Sequence, residues 1–520
     1  MRAFRVRWPV WLVVAWSRAL AAPQRSLKIR GVNLGGWLVL EKWIKPSLFA
    51  DWEALGPAAP QDQWTYCENL GRPECKRRLL EHWDSWVTET TFDSLSAAGI
   101  THVRVPIGHW ILGDISNDEP YVFGEWPFLA RAARWAAQRN MGVYLDLHTA
   151  PGSQNGFDNS GRMGKATWDS TQANVNRTLR IVQAVSDRVR ADALTAITGF
   201  GLLNEPDQHT DYWRMLEYYN EAYTRIRSTL GGNVAIYIGD MFNPQSFNWY
   251  WHAGNPVKAT NVFLDTHIYA CFVDDLKAMT PKQHVRQVCA FERGHINACC
   301  WAAQRPTELG RFVGEWTAAY DQTPSPELQR LRPVSRPLDG KRFNFLRQYV
   351  LAQMMTYEAT PESSKPYMQG APALDVHGWF FWNFHMEADV YREWDYLRGV
   401  DEGWIPRLVT DLTIEEQFGE TCESLEKEAA DCTDGVVEPF PPLKNWVGMP
   451  CHRPSVISRA LGSEKRPLAL VVALLLLVAA VALFRPPGLT RRLPFFGSPG
   501  QVHDDAATPM RPTRAEAMLA

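Results

Sequence analysis

The run Ile197-Thr198-Gly199-Phe200-Gly201-Leu202-Leu203-Asn204-Glu205-Pro206 is short, mostly apolar, and closes on a carboxylate. Further along, Phe312-Val313 leads in the same way into Gly314-Glu315-Trp316. Desolvating a carboxylate is costly, so a glutamate does not normally finish a buried strand. Two that do so, far apart in the chain, imply strand ends that meet in one site, as they do at the mouth of a parallel barrel. For any single glutamate, a surface loop or a salt bridge is the better account. The residues around these two weigh against that account.

Working outward, eight strand-like runs can be read: Lys28–Asn33, His102–Ile107, Gly142–His148, Ile197–Asn204, Asn233–Gly239, Asn261–Tyr269, Arg311–Glu315 and Val376–Phe384. Helix-like stretches separate them, among them Arg77–Ala98, Trp126–Arg139, Thr171–Asp192 and Asp211–Leu230. The alternation predicts an α/β fold, a (β/α)8 TIM barrel over residues 23–411, rather than a doubly wound sheet. Long insertions follow strand one (Glu41–Lys76), strand six (Ala270–Pro306) and strand seven (Thr317–Leu338). These are βα loops, on the face where barrels build their active sites.

The ends of the chain read differently. Residues 1–22 have a secretory signal's charged start (Arg2, Arg5, Arg7), short apolar core and Ala19-Leu20-Ala21 cleavage site. Residues 412–466 read as a stalk or barrel-edge extension. Leu468–Phe484 is seventeen residues without a charge, flanked by Pro467 and Arg485. It predicts a single transmembrane helix over 467–484, at the lower limit of length. Residues 485–520 are read as a disordered cytoplasmic tail. A cleaved signal places the barrel outside the membrane or in a lumen, so the chain is expected in the secretory pathway as a single-pass membrane protein.

Nine cysteines without a C-x-x-C pair speak for disulfides rather than a zinc knuckle. Cys67 with Cys75 and Cys422 with Cys432 are local pairs by spacing, and Cys271, Cys289 and Cys299 or Cys300 would staple one long loop. Asn176-Arg177-Thr178 is an N-glycosylation sequon in an expected helix. A net charge of −3 gives no field favouring nucleic acid. The 23 tryptophans suit sugar stacking, although most such residues serve packing. A monomer is expected.

Polar and aromatic groups recur where strands should end: Glu41 after strand one, Arg104 on strand two, Asp146 and His148 on strand three, Asn204 and Glu205 after four. Strand six adds His267 and Tyr269, seven Glu315 and eight Trp382. Paired carboxylates at such a mouth are the machinery of glycoside hydrolysis. A retaining enzyme needs one protonated carboxyl as acid and one ionised carboxylate as nucleophile, in different environments. On this reading Arg104 and Tyr269 hold one glutamate ionised, Asn204 bonds the sugar 2-hydroxyl, and Trp382 forms the floor. Neither a metal nor another cofactor is required.

Two blocks carry a resemblance. Arg30-Gly31-Val32-Asn33-Leu34-Gly35-Gly36-Trp37-Leu38-Val39-Leu40-Glu41 resembles the opening of fungal exo-β-1,3-glucanases of glycoside hydrolase family 5. Asp146-Leu147-His148-Thr149-Ala150-Pro151-Gly152-Ser153-Gln154-Asn155-Gly156-Phe157-Asp158-Asn159-Ser160-Gly161 is similar to that subgroup's signature after strand three. The resemblance runs from about residue 28 to about 410. It implies Glu205 as acid/base and Glu315 as nucleophile, with Arg104, His148, Asn204, His267 and Tyr269 around them. It further implies that Glu41 binds the terminal glucose, that Phe157 and Phe272 clamp the next unit, and that Trp382 stacks on the sugar. The chain departs from the pattern at Phe384-His385, where the family has Trp-Lys, and at Thr149, where it has Gly. The implied activity is a retaining exo-β-1,3-glucosidase acting on β-glucan, with transfer to another glucan as a competing outcome. The alternatives are a β-glucosidase for β-1,6-glucan or a glycolipid, and an inactive glucan-binding receptor.

Overall fold

The computed structural model describes residues 28–244, 247, 259–292, 296, 309–324, 340–360 and 375–431. Eight parallel strands close into a barrel in chain order: β1 (Ile29–Asn33), β2 (His102–Ile107), β3 (Gly142–Leu147), β4 (Ile197–Gly201), β5 (Ala235–Gly239), β6 (Val262–Ile268), β7 (Gly310–Trp316) and β8 (Val376–Phe381). β8 pairs back onto β1, with Ile29 opposite Gly378 and Val32 opposite Phe381. All eight expected strands are present. The fourth is shorter than expected, ending at Gly201, yet the amides of Leu202 and Asn204 still bond the carbonyls of Tyr237 and Leu147.

Strand alternation explains how one chain builds both a core and a site. Val103 and Val105 of β2, and Val143, Leu145 and Leu147 of β3, belong to the main hydrophobic core. Tyr144, Tyr237, Phe312 and Phe380, with Phe263 beside them, form a separate cluster of aromatic rings. Glycines on neighbouring strands make room for it. A Cβ at Gly31 would lie 2.0 Å from Phe380, one at Gly199 2.4 Å from Tyr144, and one at Gly310 2.2 Å from Phe263. Two residues beyond the aromatics on the same strand faces come Asp146 and Asp265, and two further come His148 and His267.

The expected helix Arg77–Ala98 is two helices, Arg72–Ser85 and Glu89–Ala97. Thr88 breaks the run by forming a reciprocal capping box with Thr91. The insertion after β1 carries a 3-10 segment (Pro46–Ala58) and the helix Gln63–Leu70, with Cys67 bonded to Cys75 as its spacing predicts. Cys422 bonds Cys289, not Cys432. The reason is geometric: Cys422–Asp431 is a helix, so ten residues along it span about 15 Å, beyond the reach of a disulfide. Cys432, Cys299 and Cys300 lie outside the described residues, and Cys271 is buried.

From the segment read as a stalk or barrel-edge extension, 412–431 forms the helices Ile414–Phe418 and Cys422–Asp431, which pack against Gly340–Tyr357 and, for the second, Pro281–Arg286. Among the described residues no helix is long and apolar enough to cross a membrane. The run Leu468–Phe484, the expected signal at 1–22 and the tail 485–520 all lie outside the described residues.

Candidate active site

At the C-terminal end of the barrel, Arg104 is the hub. Its Nη1 donates to Glu315 Oε1 at 3.0 Å and to Asn33 Oδ1 at 2.9 Å. Its Nη2 donates to Asn204 Oδ1 at 2.7 Å and sits 3.0 Å from Asp146 and 3.8 Å from Asp265. Burial opposes the guanidinium charge, but Asp146, Glu315 and Asp265 outweigh it and push the pKa up. Burial likewise opposes ionisation of Asp146, and Arg104 with His148 more than offsets it, so this carboxyl is held below its usual range.

Glu315 is fully buried and receives donors on both oxygens: Arg104 on Oε1 and the Tyr269 hydroxyl on Oε2, at 2.7 Å. Glu205 is 5% exposed. His267 Nδ1 lies 2.9 Å from its Oε1, and Asn159 Nδ2 donates to its Oε2 at 2.8 Å. Oxygens of the two glutamates and a nitrogen of His267 lie within 4.8 Å of one another. These donors are engaged with each other and with Arg104, Tyr269 and Asn159, and we assign no metal to them.

The loops after β3 and β4 are sewn together. Gln154 Nε2 donates to the carbonyls of both His148 and Asn204, and Asn155 Nδ2 donates to the Glu205 carbonyl. This holds Glu205 at a φ of 42°, a left-handed conformation costly for a side chain with a Cβ. His148 bonds Asp146 through Nδ1 at 2.6 Å and stacks on Trp382, with 5.6 Å between ring centroids and 11° between planes. Among the described residues, His148 Nε2, Asn204 Nδ2 and Trp382 Nε1 are buried without a hydrogen-bond partner. Three orphaned donor or acceptor atoms around paired carboxylates suit a ligand rich in hydroxyls.

The site therefore brings together Arg104, His148, Asn204, Glu205, His267, Tyr269, Glu315 and Trp382. Glu41 joins indirectly: it is 1% exposed and accepts from Trp43 Nε1, and Trp43 packs in the cluster that holds Trp382, Tyr269, Phe272 and Trp394. Phe272 meets Tyr269 edge to face at 5.4 Å. Phe157 is not in that cluster and lies on the loop between Asn155 and Asn159, the two residues that bond Glu205. Asn176 is exposed on the helix Gln172–Ala191, outside the site. Sequence reading did not single out Asn33, Asn159 or Asp265. The last had a signal, since Phe263, Asp265 and His267 share one strand face.

A barrel of this kind with two buried, facing glutamates at its mouth is a glycoside hydrolase scaffold. A family model, cellulase (glycosyl hydrolase family 5), matches residues 70–328, and the chain belongs to that family. It is 37% identical over 414 residues to a glucan 1,3-beta-glucosidase of Blumeria graminis, covering 77% of this chain and 92% of the relative. It is 33% identical over 411 residues to a glucan 1,3-beta-glucosidase of Pichia angusta, covering 75% and 89%. Among solved structures, the rutinosidase of Aspergillus niger shares the fold, with a TM-score of 0.55 at 21% identity over 73% of this chain and 98% of that one.

Proposed function

We propose that this chain is a retaining exo-β-1,3-glucosidase that releases glucose from the nonreducing ends of β-1,3-glucan. The observation that carries the reading is the approach of Glu205 and Glu315 oxygens to within 4.8 Å. Retaining enzymes hold their two carboxyl groups close enough for direct attack on the anomeric carbon, whereas inverting ones set them further apart to admit a water, and oxygens this near one another support the first arrangement. Relatives named glucan 1,3-beta-glucosidase over most of the chain support the linkage.

Glu315 is the nucleophile: Arg104 and Tyr269 donate to its two oxygens and fix their direction. Glu205 is the acid/base. It protonates the leaving oxygen as Glu315 attacks the anomeric carbon, then deprotonates the water that releases glucose. Asn204 Nδ2 and His148 Nε2 bind sugar hydroxyls, Trp382 lies under the cleaved ring, and Glu41 holds the terminal glucose. Phe157 and Phe272 grip the following unit, and a second glucan can replace water as acceptor. The apolar run Leu468–Phe484 tethers the barrel to a membrane on the secretory route, with Asn176 as a glycan acceptor.

The test is proton NMR of the purified chain digesting a linear β-1,3-glucan, beside Glu315→Gln. Early β-glucose as the sole small product, absent with the variant, is expected. Early α-glucose would overturn the retaining mechanism, and early oligosaccharides would overturn the exo mode. Binding without hydrolysis would favour a different linkage or a receptor.

A further inference from the structure

His267 is surrounded by charge from several strands. Asp146 (β3), Asp240 (after β5) and Glu315 (β7) act on it, with Glu205 after β4 and Asp265 on its own strand, and Arg104 (β2) pairs with Asp146, Asp265 and Glu315. Its Nδ1 meets Glu205 Oε1 at 2.9 Å and Glu315 Oε2 at 3.4 Å, while its Nε2 faces Asp265 Oδ2 at 3.6 Å. A neutral imidazole has one N–H and one lone pair. A lone pair on Nε2 would point at the Asp265 carboxylate, so that nitrogen keeps its proton. Nδ1 then faces Glu205 either as a second N–H or as an acceptor for a proton on Glu205. In both arrangements the His267–Glu205 pair holds one further proton.

We infer that Asp265 is a positioning residue for the general acid: by fixing a proton on His267 Nε2, it keeps that further proton on the His267–Glu205 pair. The inference rests on the acid/base reading of Glu205. The proton balance closes. Glu205 gives the proton to the glycosidic oxygen as its bond to the anomeric carbon breaks and the bond to Glu315 forms. Water later donates hydroxide to that carbon and returns its proton to the pair as Glu315 leaves.

Two further observations support it. Burial opposes the imidazolium, yet Glu315 and then Asp265 overcome it, and the His267 pKa is raised well above 6.5. The barrel also reserves space for this carboxylate: a Cβ at Gly314, on the adjoining strand, would lie 2.1 Å from Asp265 Oδ1.

The test compares Asp265→Asn with the unmodified chain on laminaribiose, whose leaving group needs a proton, and on 2,4-dinitrophenyl β-glucoside, whose leaving group does not. The expected result is that the high-pH limb of kcat/KM for laminaribiose moves down by about 1–3 pH units. The dinitrophenyl glucoside, which needs no acid, shows no such shift. An equal loss on both substrates with no shift of the limb would reduce Asp265 to an ion-pair partner of Arg104 and overturn the inference. Nitrogen NMR of the histidine-labelled unmodified chain needs no folded variant. A proton on His267 Nε2 at pH 7, with or without a second on Nδ1, supports the inference, and a ring protonated on Nδ1 alone overturns it. Glu205→Gln is run alongside. If it does not lose laminaribiose far more than the aryl glucoside, the acid/base reading itself fails, a result separate from a silent Asp265.

Discussion

At the residue scale, the two glutamates are chemically identical and differ only in their company. Glu315 is gripped on both oxygens by a cation and a phenol; Glu205 has a histidine and an amide. A hydrogen bond to a charged group is worth about 1.5–3 kcal/mol. Tyr269→Phe is therefore expected to lower kcat by about 10- to 100-fold. KM should change little, and steady-state kinetics on laminaribiose would check both. A second carboxylate illustrates the opposite environment. Glu125 is 1% exposed, Trp110 Nε1 and the Gly124 amide donate to its carboxylate, and burial pushes its pKa up to about 8. Between its unfolded value of 4.5 and 8, the folded chain holds a proton that the unfolded chain releases. Stability from this group therefore falls as pH rises through that window. Glu125→Gln should gain melting temperature over the unmodified chain progressively from about pH 5 to pH 8.

At the element scale, the strands are where sequence and structure agree best, and the reason is physical. An apolar run with period two reads the same in a chain as in a barrel, and β3 shows it from Val143 to His148. Two kinds of feature were not legible. The break at Thr88 is a local capping choice inside a stretch with helical periodicity. The left-handed backbone of Glu205 is imposed by Gln154 and Asn155 from another loop. The convergence of strand-end polar groups could be read because six strands deliver them to one mouth, whereas Asn159, placed by a turn in the β3 loop, gives no periodic signal. The glycines facing the barrel aromatics give a direct prediction. Gly199→Ala puts a methyl 2.4 Å from a Tyr144 ring held between Tyr237, Phe312 and Phe380. Overpacking of this kind costs about 1–3 kcal/mol, measurable by urea denaturation.

At the scale of the whole molecule, the chain is fastened where its loops are longest. Cys289, in the insertion after β6, is bonded to Cys422, 133 residues on, and Arg286 and Glu426 meet at 3.7 Å beside the bond. Such a link removes freedom from the unfolded chain, so Cys422→Ser should cost about 2–5 kcal/mol, read as a lower urea midpoint with activity retained below it. That the partner is Cys289 was not legible, because spacing alone does not determine connectivity. The glycine-for-aromatic exchanges inside the barrel also bear on how this sequence can drift. Gly31 and Phe380, Gly199 and Tyr144, and Gly310 and Phe263 each share one volume between two strands. A larger residue at any of the three glycines is harmful until its partner shrinks, and a shrunken partner is harmful until the glycine grows. Each pair is thus a two-locus lock: lineages leave it only by passing through a weakened intermediate, and the order of the two changes matters as much as their identity.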